Sequence, residues 1–150
     1  MFSIDAIMTT DLITIAPSST LAEARALLQE HRIHHLPVVD ADHTLVGLMT
    51  LTDVLAASDS SLRDEGSRIR AANINISEVM VTDIATVDEN ASLRQAALFL
   101  EKHKIGCLPV VSNGTLKGII TDSDFVAVAI NLLEQLESSE PDDFDEAGAA

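Results

Sequence analysis

The sequence predicts an α+β fold in which two β-α-β-β-α units pack with pseudo-twofold symmetry as one module. Three observations carry this prediction. A stretch from His31 to Asp53, HRIHHLPVVDADHTLVGLMTLTD, returns from His103 to Asp124 as HKIGCLPVVSNGTLKGIITDSD. The repeat extends upstream: Ile4, Ile7, Met8, Thr10, Asp11, Thr14, Leu21, Ala24 and Leu28 recur 72 positions later as Ile76, Val79, Met80, Thr82, Asp83, Thr86, Leu93, Ala96 and Leu100. A duplicated unit sets the architecture before any single residue is read. Finally, each copy is only about 50 to 60 residues, a size that buries its apolar surface poorly alone, so the copies are expected to share a core.

Taken in order, Ser3 to Met8 reads as a short helical turn with Ser3 as N-cap, matched by Asn75 to Met80. Leu12 to Ile15 is an extended run ended by Ala16-Pro17, since proline has no ladder donor. Ser18, Ser19 and Thr20 offer caps for a helix from about Leu21 to His31, with Leu21, Ala24 and Leu28 as its apolar stripe and Arg32 or Ile33 continuing it. In the second copy Asn90 or Ser92 is the cap, and Leu93, Ala96, Ala97 and Leu100 form the stripe. Strands follow at Leu36 to Val39 and Leu45 to Met49, and again at Cys107 to Val111 and Leu116 to Ile120. Near-continuous Val/Ile/Leu runs suit strands covered on both faces. The turn Asp40 to Thr44 becomes the tighter Ser112-Asn113-Gly114-Thr115, one residue shorter, and Asn-Gly is a strong hairpin signal. Closing helices begin near Thr52 and near Ser123, the latter reaching Leu136. The units therefore span 1–57 and 75–136, with 58–74 as a surface linker with room for some helix and 137–150 as an acidic, disordered tail.

Composition narrows the function classes. The net charge is -15, and residues 134–150 hold seven acids and no base. Such a surface repels phosphate backbones and argues against nucleic-acid binding. The tail reads as a solvated segment rather than a docking peptide. No apolar run approaches the roughly 20 residues of a membrane span, and no signal-peptide pattern opens the chain. A single cysteine, Cys107, permits no internal disulfide and fits a reducing cytoplasm.

A tandem of Ile4-x-x-Ile7-Met8-Thr9, then His31-Arg32-Ile33-x-x-Leu36-Pro37-Val38-Val39-Asp40, then Gly47-x-x-Thr50-x-x-Asp53, with the same order in the second copy, resembles a pair of CBS domains, a Bateman module. The resemblance covers residues 3 to about 132. It implies two copies about a pseudo-twofold axis, adenine nucleotides or S-adenosylmethionine in the clefts between them, and dimerisation through helical faces.

The motif also has its own chemistry. From Gly47 to Asp53 a strand enters a helix whose first turn leaves backbone N–H groups free, a natural anion site. Asp53 lies in that turn, where the helix dipole favours a carboxylate. Asp also takes two hydrogen bonds from a ribose diol. Asp53 and Asp124 are thus either helix caps or ribose contacts; the resemblance implies the latter, with Thr50 and Thr121 as hydroxyl partners.

Carried over residue by residue, the resemblance implies two unlike sites. The first combines Thr121, Ser123 and Asp124 with Thr10, Ile13, Ile33, His34, His35 and Pro37. Apolar side chains and backbone there hold the adenine, and His34 and His35 stand where relatives place phosphate contacts. The second and weaker site combines Thr50, Thr52 and Asp53 with Thr82, Ala85, Ile105, Gly106, Cys107 and Pro109. Gly106 and Cys107 replace the histidines there, leaving only Lys104 as a charge, so an adenosine-like or cationic ligand suits it better. Thr52 and Ser123 occupy positions often basic in nucleotide binders, so a triphosphate lacks counter-charges.

His34 and His35 are adjacent on an expected strand edge and point to opposite sides, which argues against a metal site. His31 and His103 match at helix ends, where a cation is favoured, and read as structural. If His34 and His35 contact phosphate, affinity rises as pH falls through about 6.5. Catalysis has little support, because no nucleophile elbow, phosphate-cradling loop or Cys/His pair is present. Cys107 reads as a buried, unreactive thiol. The expected function is a non-enzymatic, cytoplasmic, regulatory module that senses an adenine nucleotide of the AMP/ADP/ATP class, needs no cofactor, forms a homodimer and acts on an unknown effector protein. The alternatives are a ligand-free interaction module or an S-adenosylmethionine binder.

Overall fold

The computed structural model describes residues 3–59 and 65–139. The first repeat holds α1 (Leu21–His31), β1 (His35–Val39), β2 (Leu45–Thr50) and α2 (Leu51–Asp59). After α3 (Glu65–Ala72) the second repeat holds β3 (Val87–Asp88), α4 (Leu93–His103), β4 (Cys107–Ser112), β5 (Thr115–Thr121) and α5 (Asp122–Ser139). This is the α+β arrangement expected from the repeat.

Local chemistry sets the helix ends. Of the candidate caps, Thr20 and Ser92 are used, because each has a partner three residues on that closes a capping box. The Glu23 N–H donates to Thr20 Oγ1 at 3.2 Å, and the Gln95 N–H to Ser92 Oγ at 3.1 Å. Both helices stop at a left-handed residue, Arg32 and Lys104, each with φ of 54°. That turn redirects the chain into β1 and β4. Ser3 behaves differently from expectation. It occupies an N-cap position, but of a three-residue 3₁₀ turn, and its hydroxyl donates to the Asp5 carboxylate instead of capping the backbone.

The first strand of each unit is weaker than predicted, and unequally so. Leu12 to Ile15 shrinks to one parallel bridge, with the Ile15 N–H donating to the Pro37 carbonyl and Ile15 accepting from Val39. In the second unit β3 pairs with Val110 and Val111, and the Glu89 N–H adds a bond to the Val111 carbonyl at 3.0 Å. Residue 89 corresponds to Pro17, which has no N–H to give. The proline removes one rung. Elsewhere the units match closely, with antiparallel β1–β2 and β4–β5 pairs that both shift register at the same place, Val38/Val39 and Val110/Val111.

The two units trade their leading segments. Ile4, from the start of the chain, is fully buried in the second core with Ala96, Leu100, Leu108, Val110 and Ile120. Ile76 is fully buried in the first core with Leu21, Leu28, Leu36, Met49 and Val54. Backbone bridges follow the same exchange: Thr9 pairs with Ile119, and Val81 with Leu48. Ser3 pairs with Ser92, and Asn75 with Thr20. Each of these pairs maps onto the other under the repeat offset. Thr44 pairs with its own counterpart, Thr115, flanked by reciprocal bonds from Leu45 to Gly114 and from Leu116 to His43, both 3.1 Å. That pair marks the pseudo-twofold axis.

The linker contributes α3, which packs on α1 and α2 and buries Ala71. Helix α5 continues to Ser139, three residues past the predicted end, because Glu134 to Ser139 contains no breaker. The predicted disordered tail lies, from residue 140 onward, outside the described residues.

Candidate functional site

A cleft of about 290 Å³ opens between the units, walled by both. The first unit supplies Ile33, His34, His35 and Pro37 around the start of β1, together with Ile13. The second supplies Thr121 and Ser123, where β5 runs into α5. The structure therefore brings together seven of the nine residues predicted for the first site. Thr10 and Asp124 are not in the lining: Thr10 is exposed while its neighbour Thr9 lines the cleft, and Asp124 is half-buried next to Ser123 in sequence. His34 precedes β1, so strand alternation does not govern it, and both histidines line the same cleft.

The start of α5 is not the open anion site that the motif suggests. The Thr121 N–H donates to Asp124 Oδ2 at 2.8 Å, and the Thr121 hydroxyl reaches the same oxygen at 3.3 Å. The Asp122 N–H donates to the Gly106 carbonyl at 3.2 Å. The Ser123 N–H donates to Asp122 Oδ1 at 2.9 Å. Three successive donors are thus already taken, two by carboxylates of the helix itself. At α2 the Leu51 N–H goes to the His34 carbonyl and the Asp53 N–H to Thr50 Oγ1, at 2.9 and 3.1 Å. The two Thr-x-x-Asp motifs make opposite halves of a capping box. Asp124 Oδ1 and the Asp53 carboxylate keep no hydrogen-bond partner among the described residues.

The residues of the second predicted site differ in exposure. Gly106 lines the first cleft instead. Cys107 and Pro109 are buried, and Ala85 and Ile105 pack against the second core. Thr52 and Thr82 are exposed, while Thr50 and Asp53 are half-buried. Burial, followed by the carboxylates of Asp122 and Asp124, pushes the Cys107 thiol up to about 12, so it is no nucleophile at neutral pH.

Sequence reasoning missed several members of the first site: Thr9, Asp11, Leu12, Arg32, Ile119 and Asp122. Arg32 carried a signal, since Lys104 keeps the basic character at the same place in the second copy. Asp122 carried another, being an acid where the first copy has Leu51. Burial lowers the His35 pKa below its ordinary value, the neighbouring His34 adds to this, and Asp122 pulls the other way. Among the described residues no group of three or more His, Cys, Asp and Glu could hold a metal ion, and no helix is long and apolar enough to cross a membrane.

Comparison with known proteins agrees with this layout. The profile of the CBS domain matches residues 4–60 and 76–131. CBS domain-containing protein YhcV of Bacillus subtilis is 32% identical over 124 residues, covering 83% of each chain. The solved structure of the Vibrio cholerae protein named AcuB for acetoin utilization superposes with a TM-score of 0.79 at 44% identity, covering 94% of this chain and 99% of that one. CBSX2, solved with AMP, gives 0.75 at 29% identity, with 88% and 98% covered. The CBS pair of MJ0100, solved with 5'-methylthioadenosine and S-adenosylmethionine, gives 0.72 at 26% identity, with 87% and 98% covered. The chain spans 22% of the homoserine O-acetyltransferase and the inosine-5'-monophosphate dehydrogenase that it also matches. Two profile matches in tandem, over the same repeats that exchange their leading segments, place this chain in the CBS domain family as a CBS pair.

Proposed function

We propose that this CBS pair is a non-catalytic regulatory module that binds an adenine nucleotide of the AMP/ADP/ATP class in the first cleft. The observation that carries this is the cleft's composition: apolar Leu12, Ile13, Ile33, Pro37 and Ile119, the hydroxyls of Thr121 and Ser123, and the basic side chains Arg32, His34 and His35 in one lining. In this reading Ile13, Ile33 and Pro37 cover the adenine, Thr121 and Asp124 Oδ1 take the ribose, and the three basic side chains meet the phosphate. The AMP complex of CBSX2 supports the ligand class. Occupancy draws the units together and biases a partner-facing state, since a ligand shifts only an equilibrium whose states it binds unequally. The reading includes a cytoplasmic homodimer and an effector protein. Helix α5 supports the dimer: none of its side chains is buried, and Val126, Ile130, Leu132, Leu133 and Leu136 are each half exposed or more. A second reading, S-adenosylmethionine, draws on Asp11 and Asp122, which suit a cationic ligand, and on the MJ0100 complex.

The test is a thermal-shift panel of AMP, ADP, ATP, S-adenosylmethionine and NAD, with the mass read by sedimentation velocity. A ligand at 100 times its Kd adds about 2.7 kcal/mol, a rise of roughly 5 to 10 °C for a chain this long. AMP is expected to give that rise and Asp124→Ala to abolish it. No shift with any ligand leaves the interaction-module alternative.

The titration of His35 adds a pH signature. In the empty protein the unfolded chain takes the proton first, so stability falls as pH drops below about 6.5. A bound phosphate favours the protonated ring, so affinity rises over the same fall in pH, by about three- to tenfold between pH 8 and pH 6. Because burial lowers the His35 value in the empty protein, the rise continues below 6.5. Arg32, His34, Asp11 and Asp122 face the same cleft and set the background charge. Calorimetry giving equal affinity at pH 8 and pH 6 excludes a phosphate contact to His35.

A further inference from the structure

We propose that Asp122, assisted by Asp11, makes the first cleft select ligands with few phosphates, so that AMP is accepted and ATP is turned away. This rests on the adenine-nucleotide reading above and specifies its ligand. Apart from the two imidazoles, the charges of the lining are one cation, Arg32, against two anions, Asp11 and Asp122. Part of the helix start that would ordinarily offset a phosphate tail is already taken. Asp122 Oδ1 accepts from the Ser123 N–H, Asp124 Oδ2 accepts from the Thr121 N–H, and the Asp122 N–H is spent on the Gly106 carbonyl. A built-in carboxylate therefore sits where a phosphate oxygen would be received. One monophosphate, carrying about -1.5 to -2, can be met by Arg32 with the histidines. Each added phosphate brings more negative charge into a lining that is already net negative. The repeat sharpens the point, because the position equivalent to Asp122 is Leu51, which neither repels an anion nor takes up an N–H donor.

Calorimetry with magnesium-free AMP and ATP at pH 8 tests this on the full chain. The wild type is expected to bind AMP about tenfold or more tightly than ATP, the scale of one unscreened like-charge contact at the protein surface. Asp122→Asn keeps an oxygen to accept from Ser123 but removes the charge. It is expected to narrow the ratio to about twofold, by strengthening ATP while AMP stays within about threefold. Glu101→Gln, at an exposed position of α4 outside the cleft lining, removes the same charge and leaves the ratio as in the wild type if local charge, not the net charge of -15, does the selecting. An unchanged ratio in Asp122→Asn, or an equal change in Glu101→Gln, overturns the proposal while the nucleotide reading stands. Failure of both AMP and ATP to bind the wild type overturns the nucleotide reading itself.

Discussion

Replacing Ile4 by Ala is expected to lower the unfolding free energy by about 2 to 5 kcal/mol, the range for emptying a fully buried isoleucine site, and to do so by loosening the second unit. Ile4 is 0% exposed and packs in the second core, and its N–H donates to the Ala91 carbonyl at 3.2 Å. The repeat supplies a matched control. Ile76 is equally buried, packs in the first core, and donates to Ser19 at 2.9 Å. Hydrogen exchange should therefore show Ile4→Ala exposing amides of β4 and β5, and Ile76→Ala exposing those of β1 and β2. Loss of protection in the unit that holds each residue in sequence would contradict the exchange of leading segments.

The second large effect is expected at Gly118. A Cβ there would lie 2.7 Å from the Met8 sulfur and 2.9 Å from the Thr9 carbonyl oxygen. The sulfur can swing away, but the carbonyl cannot, because Thr9 exchanges bonds of 2.8 and 3.0 Å with Ile119. Gly47 is the counterpart, and all three atoms nearest its added Cβ belong to the flexible Met80 side chain. Gly118→Ala should thus cost about 1 to 3 kcal/mol in overpacking, and Gly47→Ala clearly less, as read by denaturant unfolding. The consequence reaches the ligand, since Thr9 and Ile119 both line the cleft. Pushing the leading segment off β5 opens that wall, and AMP affinity should fall about tenfold, the cost of losing roughly 1.4 kcal/mol of contact. Equal stability of the two alanine variants would remove the steric argument.

Most of the fold was legible because the chain states it twice. Helices α1 and α4 and the two hairpins came from patterns that local physics dictates: candidate N-caps, apolar stripes and turn residues. The missing rung at Pro17 was half legible. Proline was read as ending the strand, yet its counterpart, Glu89, shows what a donor there would add. The exchange of leading segments was not legible at all. Ile4 and Ile76 are equivalent residues in equivalent surroundings, so nothing in either one says which core it enters. The site divides in the same way. Ile33, His34, His35, Pro37, Thr121 and Ser123 sit in motifs and were found. Asp11 lies between motifs and Arg32 inside one, and both were passed over because only the approach of two units reveals their shared wall. Asp122 lies inside a motif, at a position that the repeat does not preserve.

The pairing of Thr44 with Thr115, residue and counterpart on the axis, bears on how such a molecule arises. An interface whose elements are each their own mate is one that two separate copies of a half-chain can form. Each copy would lend its opening turn to the other, as residues 3–9 and 75–81 do here. Joining the halves through residues 58–74 then gives each half a fixed mate. What it adds is nearness: a tether of this length holds the partner at an effective concentration on the order of millimolar. Assembly no longer depends on how much protein the cell holds. With the halves fused, equivalent positions are free to differ, as Leu51 and Asp122 do, a difference that two identical copies could never sustain.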